Sequence, residues 1–73
     1  MNYRKAVNVP PDVARRVGAL LARIGVVQAG RLLRVSQHTL EEARTSGALH
    51  PKTIARITDA LDRDDVARAA RIA

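Results

Sequence analysis

Cysteine, phenylalanine and tryptophan are absent from this 73-residue chain, and Tyr3 is its one aromatic residue. Without cysteine, neither a disulfide nor a thiolate zinc site can staple the fold, so stability must come from helix packing or a partner subunit. Long apolar runs are missing too. None approaches the roughly 18 residues that span a membrane, and Met1-Asn2-Tyr3-Arg4-Lys5 lacks the apolar core of a signal peptide. A cytoplasmic location without membrane contact is therefore expected. Length sets a further bound: one domain of this size buries only about 60% of its unfolded surface, too little for a deep catalytic pocket.

Acidic residues are scarce. Seven Asp and Glu stand against 13 Lys and Arg, for a net charge of +6. Such a surplus attracts polyanions, which release counterions on binding. It is uneven: residues 1–56 hold ten cations and three acids, residues 57–73 three cations and four acids.

What is present reads as a series of helices. Residues 1–9 alternate weakly up to Pro10-Pro11 and read as a basic arm, either ordered on binding or simply a disordered tail; residues 10–73 form the domain. From Asp12, Val13, Val17, Leu20, Leu21 and Ile24 share one face of an amphipathic helix, with Gly25 as its stop. A short second helix spans about Val27 to Leu33. Gly18 and Gly30, each costing about 1 kcal/mol in a helix interior, suggest close approach of backbones. Ser36 is a favoured N-cap for a third helix, about Gln37 to Ser46, with Leu40 and Ala43 inward and Gly47 ending it in the left-handed conformation. Pro51 opens a fourth, with Ile54, Ile57 and Leu61 on the core face. A fifth runs from Asp64 to about Ala73 with Val66, Ala69, Ala70 and Ile72, and is either a dimer contact or a packed last helix. Nothing signals a strand pair or a repeat.

The residues AGRLLRVSQHTLEEARTSGAL, followed by PKTIARITDAL, resemble the helix-turn-helix of the Cro/repressor-like family of prokaryotic DNA-binding proteins. The motif covers about residues 26–47 and the resemblance runs from Val26 to Leu61, roughly half the chain. A small residue (Gly30), apolar residues flanking the turn (Leu33, Val35), a Ser cap (Ser36), aliphatic inward positions (Leu40, Ala43), a closing Gly47 and a proline-led helix at Pro51 carry it. The resemblance implies an all-α, compact five-helix domain, lambda repressor-like, with a central helix-turn-helix behind the short basic arm. Two positions depart from the family. Arg34 stands where the turn usually has glycine, which implies strain or an altered turn. Val26-Val27 stand where a phosphate-touching Gln is common.

Such a domain reads DNA with the outer face of its third helix. Gln37, His38, Glu41 and Thr45 are the candidate base-reading residues: Gln37 can pair with adenine, His38 can donate to guanine, and Glu41 can accept from cytosine. Candidates for the DNA backbone are Ser36, Arg31, Arg34, Arg44, Ser46, Lys52, Thr53, Arg4 and Lys5, with the free N–H groups at the start of the fourth helix favouring an anion. Either Glu41 or Glu42 reads cytosine, or both tilt away to pair with Arg44, Arg34 or Arg31, an arrangement that suits Glu42 better. The function expected is a sequence-specific regulator of transcription that binds double-stranded DNA, a repressor working as a homodimer in the nucleoid.

Other chemistries are poorly served. His38, Glu41 and Glu42 lie at i, i+3 and i+4, yet no second cluster completes a metal site. Ser36 and His38 are too close in sequence to act as nucleophile and base, so no enzyme activity, cofactor or small-molecule ligand is expected. The alternative is a helical protein-interaction module: an adaptor, an antitoxin-like binder or a phage assembly subunit. The polar face of the third helix, with no aromatic or aliphatic anchor, favours DNA.

Overall fold

Pro11 opens the first and longest helix, α1 (Pro11–Leu33), where its missing N–H costs nothing and Asp12 complements the helix dipole. The computed structural model describes residues 5–72, with side chains described through Ala69. Three further helices follow: α2 (Gln37–Arg44), α3 (Pro51–Leu61) and α4 (Asp64–Ile72). Gly25 interrupts α1, as expected: its backbone (φ 86°, ψ 159°) leaves the helical region, and two helical stretches, 11–24 and 26–33, meet there in a kink and are counted as one element. The expected five helices are accordingly found as four.

The expected inward residues meet in one core. Val13, Val17 and Leu20 from α1, Leu33 from its end, Leu40 and Ala43 from α2, Ile57 and Leu61 from α3 and Val66 from α4 are all buried. Burying each large aliphatic side chain contributes about 1.5–3 kcal/mol, which holds α2 against α1. Leu21, Ile24 and Ile54 pack partly buried at the margin. Gly30 marks a true close approach, because a Cβ there would lie 3.1 Å from the Val35 carbonyl oxygen. Gly18 does not: its nearest neighbour would be the Arg44 Cγ, at an ordinary 3.7 Å.

The arm requires correction. Val7–Asn8 form a short strand, β1, antiparallel to β2 (Ala48–Leu49), with Val7 opposite Leu49 and Asn8 opposite Ala48. Val9 is only 2% exposed and belongs to the core. Further bonds fasten the two segments: Val9 N–H donates to the Gly47 carbonyl at 3.0 Å and the Asn8 side-chain amide to the Ser46 carbonyl at 2.9 Å. Residues 7–9 are thus part of the domain, and the fold is mostly helical with a small ribbon rather than all-α.

Polar contacts tie α1 to the C-terminal helices. Arg16 pairs with Asp62 at 2.8 Å, and Arg63 donates to the Leu32 carbonyl at 2.8 Å, satisfying an acceptor freed where α1 ends. Arg63 also donates to Asp65 at 3.2 Å, and that bond holds the Asp65 carboxyl below its usual range. Asp65 in turn accepts the Val66 N–H at 2.9 Å in the first turn of α4. Ala70, Arg71 and Ile72 lie on α4, but their side chains fall outside the described residues.

Candidate nucleic-acid interface

The junction between α1 and α2 is built from a left-handed backbone turn and a side-chain cap. Arg34 takes the left-handed conformation (φ 59°, ψ 45°), and its N–H closes on the Gly30 carbonyl. The turn therefore keeps the geometry that glycine would supply, with an arginine carrying the steric cost. Ser36 then caps α2: its Oγ accepts the Thr39 N–H at 3.1 Å and donates to the Thr39 Oγ1 at 2.9 Å. With Leu40 and Ala43 buried, Gln37, His38, Glu41 and Arg44 are left exposed on the opposite face.

The expected site residues separate into groups. Arg31, Ser36 and Gln37 share a shallow groove of about 380 Å³ between the end of α1 and the start of α2, where Val27 is also half exposed. Arg34 and Lys52 line a second groove on the α3 side. Ser36 stands at the first groove with its hydroxyl already engaged by Thr39, so its side chain sets the helix start. Lys5 is exposed ahead of β1, while Arg4 and Tyr3 lie outside the described residues.

Glu41, and not Glu42, takes the arginine. Arg44 Nε and Nη2 both donate to Glu41 Oε1, at 3.1 and 2.5 Å. Glu42 instead lies against Gly47, whose missing side chain makes room for its carboxylate. A Cβ at residue 47 would overlap that carboxylate and sit 3.1 Å from the Glu42 carbonyl oxygen. A side chain here would have to push the flexible end of Glu42 aside and would crowd its carbonyl oxygen. The left-handed residue that ends α2 is Ser46 (φ 59°), which corrects the role expected of Gly47.

α2 is also shorter than expected, Gln37–Arg44 rather than 37–46. Thr45 and Ser46 lie beyond it. Thr45 Oγ1 donates to the Glu41 and Glu42 carbonyls at 3.1 and 3.2 Å, so its donor is spent on the last turn of α2, far from the N-terminal end expected to read bases. Ser46 contributes its carbonyl to Asn8.

The start of α3 differs in a further respect. Its first position is Pro51, which has no N–H; Lys52 N–H donates to His50 Nδ1 at 3.0 Å, and Thr53 N–H to the His50 carbonyl at 2.9 Å. The N–H groups expected to hold an anion are therefore engaged, and only side chains remain: Lys52 exposed, Thr53 half-buried. Sequence reasoning missed His50 as the cap of α3, although a histidine directly before a helix-opening proline stands where a capping acceptor belongs. It missed Arg56 too, exposed one turn beyond Lys52 and lining the same groove. The i, i+4 spacing of the two cations was the available signal.

Among the described residues, no group of three His, Asp or Glu side chains is placed to hold a metal ion, and no helix is long and apolar enough to cross a membrane. Comparison with protein-family models, curated proteins and solved structures gives no match.

Proposed function

We propose that this chain binds double-stranded DNA, with α2 in the major groove as the second helix of a helix-turn-helix like that of the Cro/repressor-like family. In this reading α1 counts as two helices about Gly25, which restores the five-helix plan and a motif over about residues 26–47. The observation that carries the proposal is the two-sided character of α2. Leu40 and Ala43 are buried, while Gln37 and His38 stand exposed on its first turn with Arg31 beside them. A helix of eight residues is about 12 Å long, comparable with the width of the major groove, and its N-terminal end carries the side chains that reach base edges. Gln37 and His38 are assigned to bases, each good contact contributing about 1–3 kcal/mol of discrimination. Arg31 and Arg34 flank them toward the phosphates.

The protein acts as a homodimer on an inverted repeat whose half-sites lie about 34 Å apart, and it represses by occupying the operator. The test is fluorescence anisotropy on a random duplex pool and on the DNA upstream of the protein's own gene, over a salt series. The parent is expected to bind with a steep salt dependence and to prefer particular duplexes. Gln37→Ala and His38→Ala are expected to lose that preference more than they lose affinity for the random pool. Absence of duplex binding at low salt would overturn the proposal.

A further inference from the structure

Beside the turn, on the side of α3, lies a trough of about 620 Å³ whose apolar floor the DNA reading does not use. The α3 residues that line it, Lys52, Ala55, Arg56, Asp59 and Ala60, recur at i, i+3, i+4, i+7 and i+8, a single stripe about 12 Å long, with Arg63 just beyond the helix end. Its floor is apolar: the buried Leu33 and Ala60, with the small exposed Ala55. Its rim is basic. Arg34 stands on the α1 side and Lys52 and Arg56 on the α3 side; among the described residues none of the three is in an ion pair. Arg63 closes the far end but is committed to Leu32 and Asp65, and Asp59 is the only acid in the lining.

We propose that this trough is a docking site for an acidic amphipathic helix of another protein, its apolar residues over Ala55 and its carboxylates on Arg34, Lys52 and Arg56. Charge and shape together select that occupant. A second copy of the same trough is repelled, since each lining carries four cations against one acid. A phosphate backbone makes no use of an apolar floor, and the N–H groups of α3 that would grip a phosphate are already engaged. A helix bound through an apolar stripe needs a concave track with small residues on its floor, as Ala55 and Ala60 provide. The methylene stems of Lys52 and Arg56 extend the apolar walls up to their charged ends.

Arg34 and Lys52 belong both to this rim and to the proposed DNA contacts, so peptide and duplex compete for them. The competition rests on the DNA reading; the docking does not. The probe is a capped amphipathic peptide of Leu, Ala and Glu, titrated into the labelled full-length protein and followed by amide chemical shifts. A capped all-Glu peptide of equal length serves as control. The expected result is a set of shifts centred on Lys52 to Asp59 and Arg34, with the Leu-bearing peptide binding at least tenfold more tightly than the control. Arg56→Glu, at an exposed position, is expected to weaken binding about tenfold, and Ala55→Gln, which fills the floor without changing charge, by a similar factor. Equal affinity for the two peptides, shifts centred on Gln37 and His38, or shifts at Lys52 to Asp59 that grow with protein concentration alone would each overturn the proposal. If the peptide binds in the trough while no duplex binds the protein, docking stands and the DNA reading falls. If both bind, added peptide is expected to release duplex.

Discussion

Glu41 and Arg44 neutralise each other across one turn of α2, with both guanidinium donors on a single carboxylate oxygen. On the face proposed to meet DNA, an acid therefore holds the one cation of the helix. Both side chains are about half exposed, so the pair contributes little to stability.

Replacing Glu41 with Gln is expected to release Arg44 to the phosphates. Affinity for random-sequence duplex should rise a few-fold, and the salt dependence should steepen by up to about one unit of slope. Anisotropy at several salt concentrations measures both, and an unchanged slope would show that Arg44 does not contact the backbone.

Arg34 carries a left-handed backbone that costs a non-glycine residue about 1 kcal/mol or more. Arg34→Gly removes the strain, partly offset by the greater freedom of glycine in the unfolded chain. The expected net gain is about 0.5–1 kcal/mol, a rise of a few degrees in melting temperature, measured by thermal denaturation. Weaker DNA binding should accompany the gain, because a cation is lost from the turn. A variant less stable than the parent would mean that the arginine side chain contributes more than its backbone costs.

The two helical glycines are expected to respond in opposite directions. Gly18→Ala meets only an ordinary contact with Arg44 and should stabilise by about 1 kcal/mol. Gly30→Ala drives a methyl against the Val35 carbonyl, within the turn that Arg34 closes, and should destabilise by about 1 kcal/mol or more. Urea unfolding of the two variants, side by side, distinguishes them; stabilisation by both would show that the turn yields freely.

His50 caps α3 through Nδ1. His50→Ala should cost about 1 kcal/mol, and His50→Asn, which supplies another capping acceptor, should recover most of it. Equal losses in chemical denaturation would assign the importance of His50 to packing instead.

Periodicity and capping made most of the helical layout legible. The apolar spacing of Val13, Val17 and Leu20, the Ser36 cap and the proline at the start of α3 are local signals, each bounded by a few residues of sequence. The features that escaped depend on contacts between distant segments. Two-residue strands have no period to detect, and Val7–Asn8 pair with Ala48–Leu49 only because the folded core brings them together. Gly47 looked like a helix terminator because glycine tolerates positive φ, yet its conformational role passed to Ser46 while the Glu42 carboxylate claimed its space. Gly25 does interrupt the helix, and what sequence could not show is that the second stretch follows at once, across a kink and without a loop. At the candidate site, sequence placed the exposed residues of the first turn of α2 correctly and offered pairing with Arg44 as one alternative, favouring Glu42 where the structure has Glu41; it could not tell that the N–H groups of α3 would be consumed by His50.

The ribbon between Val7–Asn8 and Ala48–Leu49 has a mechanical meaning. The segment that leaves α2 is stitched to the start of the chain by the Asn8 side chain and by the Val9 backbone, and Val9 itself is embedded in the core. The tilt of α2 is thereby anchored at both ends: at its entry by the Arg34 turn, and at its exit by residues more than thirty positions earlier in the chain. A tension applied ahead of Val7 would meet this ribbon first and be shared between the exit of α2 and the entry to α3, which Ala48–Leu49 join.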